Sequence, residues 1–181
     1  MIVIGIIAIL AGLLFPVVLG AITKAKQKQA MAETRTILMA IKAYRQEYGK
    51  WPAQVQDARD TTYIVSNCCV IQPLLGNDWN NFNPKHTIFL SFQVSTNNPD
   101  PDGNYLDPWG IPYVICMDED GNNSLLISNV LSYVSSNTSG RQIGDTNICL
   151  TNYPVANVDA GVASLGGTSN TLPWNTWTEM P

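Results

Sequence analysis

Residues 1–22 read MIVIGIIAILAGLLFPVVLGAI and contain no charged side chain. Lys24, Lys26 and Lys28 follow at once, and helical patterning continues to Tyr48. At 1.5 Å per residue, 22 helical residues reach about 33 Å, against roughly 30 Å for a bilayer's hydrocarbon core. A small domain has no use for an apolar helix of that length. The segment therefore reads as one that sits in lipid or packs against other helices. A cleaved signal peptide fits less well, because its apolar core usually runs only about 7–15 residues. Pro16 has no N–H, so the carbonyl of Gly12 loses its helical partner. The stretch from Ala8 to Pro16 is the expected place for a kink or local melting once the helix is assembled. The three lysines by themselves would hold the rest of the chain in the cytoplasm. Basic residues upstream of Met1 are needed to reverse that orientation.

Beyond Ala30 the apolar positions are Ile37, Ile41, Tyr44 and Tyr48, with Leu38 and Ala40 beside them. Such spacing makes one helical stripe, with Arg35, Lys42, Arg45 and Glu47 off it. Gly49 suits a helix C-cap and Trp51-Pro52 stops the helix. The expected organisation has three parts: an apolar helix over 1–22, its amphipathic continuation over 23–49, and a globular domain over 50–181. Residues 53–85 read as an irregular connection with room for a short helix. Residues 86–94 (HTIFLSFQV) read as a strand. Residues 113–117 and 124–130 read as two strands joined by a turn over 118–123. The fold class is α+β, with a long N-terminal helix and a small antiparallel sheet. After residue 130 the chain is rich in Ser, Asn, Thr and Gly, a composition normally disordered. Cys149, Trp174 and Trp177 argue that this tail folds back on the domain.

The net charge of −4 and the lack of a basic face beyond Lys24, Lys26 and Lys28 exclude nucleic acid as a partner. Charged residues make up 13% of the chain, about half the usual share, so Asn, Ser, Thr and Gly must fill the surface. The cysteines are Cys68, Cys69, Cys116 and Cys149; with no CxxC pair and His86 the sole histidine, zinc is not expected. Neighbouring cysteines rarely pair with each other. Two disulfides would therefore join Cys68 and Cys69 to Cys116 and Cys149 in either order; the alternative is four buried thiols. Asp118, Asp120 and Asn122 put several hard oxygen donors in one turn and form a candidate calcium site, although the spacing is not that of an EF-hand. A solvated hairpin turn is the competing reading. Asn122 and Asn137 begin N-x-S/T sequons. His86 reads as an ordinary strand-start residue. The chain has no GxSxG, no P-loop and no dinucleotide fingerprint, so no catalytic residues and no cofactor other than calcium are expected.

Several stretches resemble one family. MIVIGIIAILAGLLFPVV is similar to the N-terminal helix of type IV pilins and type II secretion pseudopilins, with Pro16 on the family's helix proline. AIKAYRQEYGKWP, residues 40–52, resembles the helix end of major pseudopilins. YLDPWGIPY, residues 105–113, resembles their Asp-Pro-Trp-Gly-x-Pro-Tyr motif. The likeness covers about residues 1–133, and the tail departs from it. It implies six further family residues ahead of Met1, among them a glutamate two residues before Met1, and a peptidase-cut basic leader beyond them. The expectation is a start codon placed too late, or a trimmed chain. Major pseudopilins bind calcium in a loop nearer the C-terminus; here that region offers Asp145 and Asp159 without a matching motif. Read locally, Asp107-Pro108 starts a turn, Gly110 allows positive φ and Trp109 covers the sheet edge, with no catalytic role.

The resemblance implies a pilin-like fold and a structural subunit of a helical pilus or pseudopilus. Its helix-to-helix contacts would use Ile2, Ile6, Ile9, Gly12, Leu13, Pro16 and Val17. The implied partners are further copies of the chain, the inner membrane before assembly, and the assembly machinery of a type II secretion or type IV pilus system. The implied location is the inner membrane, then a periplasmic or extracellular filament. The rival expectation is a membrane-anchored extracytoplasmic binding module.

Overall fold

The computed structural model describes residues 2–53, 61–63, 66–91, 98–121, 124–127, 153–156 and 159–164. Between residues 2 and 17 it describes the side chains of Val3 and Gly12 only, and for residues 61–63, 124–127 and 153–156 the backbone only. The first element, α1 (Ile2–Tyr48), is a continuous helix of 47 residues, about 70 Å long at the standard rise. It passes through Pro16 as helix. Gly49 ends it with φ +66, and its N–H bonds to the carbonyl of Arg45 at 2.8 Å. A residue with a Cβ would be strained there, which is why glycine serves as the cap.

The globular part is assembled on the second half of α1. Ala30, Thr34, Ile37, Ile41 and Tyr44 are buried, along with Leu38 and Ala40. The stripe expected from sequence is therefore the core-facing ridge. Tyr48 joins its edge, and the ridge meets Trp51, Val70, Ile71, Leu74, Leu90, Tyr113, Ile115, Met117 and Val162 in one hydrophobic core.

Two antiparallel sheets stand behind that ridge. The first has three strands: β1 (Thr61–Tyr63), β2 (Val114–Met117) and β5 (Ala160–Ala163), in the order β1-β2-β5. β2 is central, with Cys116 opposite Thr62 on one side and Gly161 on the other. β5 lies along α1, and its AGVA sequence presents little bulk to the approaching helix. The second sheet pairs β3 (Ser124–Ile127) with β4 (Tyr153–Ala156). The short helix α2 (Cys68–Leu74) fills the room expected for one between residues 53 and 85.

Helix plus small antiparallel sheets bears out the α+β class. Two details differ from the sequence reading. Residues 114–117 and 124–127 are strands, but they do not pair with each other; each takes a partner from much later in the chain. The expected hairpin is really a crossing between sheets, because β2 is already flanked on both edges. Residues 86–91 form no strand. His86 has φ +51, and the N–H groups of Phe89 and Leu90 both reach the carbonyl of Leu74 at 2.9 Å. This segment spends its hydrogen bonds on the end of α2. Residues 128–152 and 165–181, including Cys149, Trp174, Trp177, Asn137 and Asp145, lie outside the described residues.

Candidate functional site

The clearest candidate site is the half of α1 that precedes Ala30. No described side chain of α1 before Ala30 is buried. Val18, Leu19 and Ile22 are about half exposed, and Val3 is 68% exposed. A Cβ added at Gly12 or Gly20 would meet nothing within 4 Å, so no part of the described chain comes close there. Apolar residues bare to solvent on one continuous helix form a surface that asks for a partner. Of the expected assembly positions, Ile2, Ile6, Ile9, Gly12, Leu13, Pro16 and Val17 all fall on this half. Among the described residues, no helix is long and apolar enough to cross a membrane. The side chains of residues 4–11 and 13–17 are not among those described, and by sequence that stretch is free of charge.

Polar contacts fasten the other half of α1 to the domain. The Tyr113 hydroxyl donates to the Glu33 carboxylate, and Tyr44 donates to the carbonyl of Phe82. Lys42 and Arg45 both face Asp159, at 3.6 and 3.3 Å, and Arg45 also stacks 4.0 Å over the Trp51 ring. The Trp51 indole N–H donates to the carbonyl of Asp118 at 2.6 Å. Burial, with Tyr48 and Asp78 adding, pushes the Tyr44 phenol up to about 12. Burial first and the Glu33 contact second raise Tyr113, and burial also raises Tyr105. These phenols stay neutral and act as donors and packing groups.

The DPWG stretch is a hydrogen-bonded turn built on Asp107. Its Oδ1 accepts the N–H groups of Trp109 and Ile111 at 3.0 and 2.9 Å, and its Oδ2 accepts Ser164 Oγ at 2.7 Å. Gly110 holds φ +84, the positive φ expected of it. Trp109 is half-buried. With Gln29, Asn98, Leu106, Asp107, Pro108 and Gly110 it lines a cleft of about 350 Å³ against α1. The cleft lies where the helix leaves the domain, one residue before the first buried position, Ala30.

Asparagines do much of the internal bridging. Asn67 is fully buried; its amide donates to the carbonyls of Tyr105 and Tyr113 at 2.9 and 3.0 Å, and its oxygen accepts the N–H of Tyr105 at 2.8 Å. Asn83, also fully buried, ties Pro73 and Thr87 to Tyr48. Each side-chain amide stands in for a missing strand neighbour, satisfying backbone groups that irregular loops would otherwise bury unpaired. The sequence reading placed asparagine on the surface and missed these bridges. A polar residue between apolar runs, as in Ser66-Asn67 ahead of Cys68, is the signal available.

The other expected sites fare differently. Cys68 and Cys69 are half-buried free thiols at the start of α2; no bridge from this pair to Cys116 is formed in this structure, and the expected pairing to Cys149 lies outside the described residues. Cys68 faces Ser66 and the 103–104 loop, whereas Cys116 sits 1% exposed in the central strand between β1 and β5. Asp118 is 1% exposed, and its Oδ1 accepts the Gly121 N–H at 2.8 Å. It shapes the turn for which calcium ligation and a plain solvated turn are the two expectations. Asp120 is exposed and Asn122 lies outside the described residues. Among the described residues no group of three or more His, Cys, Asp or Glu side chains could hold a metal ion. His86 is exposed and its Nδ1 contacts the carbonyl of Gly76 at 3.0 Å.

No family model matches the chain, and neither a curated protein nor a solved structure matches it.

Proposed function

We propose that this chain is a structural subunit that polymerises through α1. The observation that carries the reading is the split in that helix: from Ala30 onward one face is buried by the domain, and before Ala30 no described side chain is buried. The subunit waits with residues 1–22 in a membrane and its domain on the extracytoplasmic side. On assembly the apolar helices leave lipid and bundle, exchanging lipid contacts for helix–helix contacts. That exchange is far less costly than exposing some 22 apolar residues to water. Head-to-tail contacts that do not close give a helical filament with the domains outside. The likeness of residues 1–18, 40–52 and 105–113 to type IV pilins and pseudopilins supports the same reading and favours the pseudopilin side.

The test is electron microscopy after slow removal of detergent. Wild-type chain forms filaments; Ile9→Asp or Leu13→Asp abolishes them while the near-UV circular dichroism of the domain is retained. Normal filaments from either variant overturn assembly through the helix. Discrete particles from the wild type point instead to an anchored binding module.

A further inference from the structure

Two features meet at the point where α1 leaves the domain. The first is charge. Lys24, Lys26 and Lys28 are the only charged residues in the first 32, and Glu33 is the first acid. Among the described residues none of the three lysines makes a salt bridge. Glu33 is engaged elsewhere, by Gln29 Nε2 at 2.9 Å and by the Tyr113 hydroxyl. Lys24 and Lys28 share one face of the helix at a spacing of four. Lys26 stands three residues before Gln29, which makes the two neighbours on one face. Lys24 and Lys28 are exposed and Lys26 is half-buried, and among the described residues no acid compensates them.

The second feature is the cleft of about 350 Å³ between Gln29 of α1 and the loop carrying Pro108 and Trp109. Asp107 lines it too, but both its oxygens already accept Trp109, Ile111 and Ser164. Height along the helix sets what can reach the cleft. If residues 1–22 fill the hydrocarbon core, as proposed above, Lys24 is the first charged residue beyond it. Gln29 then lies about 7.5 Å above Lys24, near the outer edge of a headgroup layer roughly 5–7 Å deep. That level is where tryptophan is favoured at a membrane surface and where a lysine meets lipid phosphate.

We propose that Lys26, together with the Gln29–Trp109 cleft, binds the headgroup of an anionic phospholipid in the leaflet from which α1 emerges, with Lys24 and Lys28 meeting neighbouring headgroups on the other face of the helix. The lysines supply the opposite charge, and Pro108 and Trp109 supply a wall suited to the interface. Anionic headgroups there also offset the tendency of these lysines to stay on the cytoplasmic side. The inference rests on the proposed membrane-resident state of α1.

The experiment reconstitutes the full chain into vesicles containing brominated phosphatidylcholine, or an equal mixture of that lipid with brominated phosphatidylglycerol. Tryptophan quenching is read for the wild type, for Trp109→Phe and for the triple variant K24Q/K26Q/K28Q. The expected result is stronger quenching with phosphatidylglycerol, and loss of that excess in both variants while each stays resistant to alkaline extraction. Equal quenching in the two vesicle types, with the chain firmly inserted, overturns the headgroup site and leaves the reading of α1 intact. A chain extracted by alkali from both vesicle types overturns the membrane-resident reading, and the headgroup site with it. An emission shift of Trp109 on adding inorganic phosphate in detergent alone assigns the cleft to a soluble anion and overturns the lipid assignment.

Discussion

The two halves of α1 are the same kind of helix in opposite circumstances. In the C-terminal half, Ile37, Ile41 and Tyr44 are fully buried beneath a domain gathered from residues far along the chain. In the N-terminal half, Val18, Leu19 and Ile22 are about half exposed. An amphipathic half needs one partner on one face, and this chain supplies it. An apolar half needs cover all round, which only lipid or further helices can give. The contrast teaches that backbone continuity says little about where a helix spends its stability. One half holds a fold together, and the other, on the function proposed above, is held in reserve for a partner.

Substitution on the two sides is the most direct way to break the comparison. Ile41→Ala is expected to cost about 2–5 kcal/mol, because it empties fully buried volume at the centre of the ridge. Ile22→Ala is expected to stay within about 0.5 kcal/mol in the detergent-solubilised subunit. Urea unfolding followed by near-UV circular dichroism compares them, and equal losses would erase the distinction between halves.

The buried amide of Asn67 tests whether polar bridges matter as much as the apolar ridge. Asn67→Leu leaves the N–H of Tyr105 and the carbonyls of Tyr105 and Tyr113 without their side-chain partner. The expected cost is about 3 kcal/mol, read from the same unfolding curves. A neutral result would mean that water takes over the role of the amide.

Alkaline pH sharpens the comparison from another side, since Tyr44 lies in the covered half. Its phenol ionises at an ordinary 10.0 when unfolded and at about 12 when folded. The folded state therefore holds the proton more tightly, and the stability this adds is complete below pH 10 and lost as pH rises towards 12. Tyr113 and Tyr105 shift the same way. Thermal unfolding across that window should fall for the wild type and fall less for Tyr44→Phe. A pH-independent midpoint would count against the burial of Tyr44.

The smallest effect is expected at Asp159, which joins β5 to Lys42 and Arg45 while about a third exposed. Asp159→Asn should cost no more than about 1 kcal/mol and less in high salt, measured by thermal unfolding at two ionic strengths. A larger, salt-insensitive loss would make this contact part of the core.

Helical elements were more legible in the sequence than sheet pairings. The limits of α1, its buried stripe and its glycine cap follow from spacings of three and four residues and from Gly49, all local signals. Over residues 86–91 the expected strand does not form, because an apolar run is compatible with any extended segment, and here the nearby end of α2 takes its hydrogen bonds. The hairpin over 113–130 was misread because turn residues at Asp118–Gly121 announce a reversal without saying which strand will lie alongside. The Gln29–Trp109 cleft joins residues some eighty positions apart, and no local pattern carries that pairing.

By itself, then, the sequence determined that there is one long helix, which half is free of charge, and where the amphipathic ridge runs. Helix periodicity and charge are written residue by residue. Only the tertiary structure decided that β2 lies between β1 and β5, and that asparagines bridge the interior. Those outcomes depend on which distant groups compete for the same backbone donors and the same buried space, and that competition is settled only when the whole domain closes on the helix.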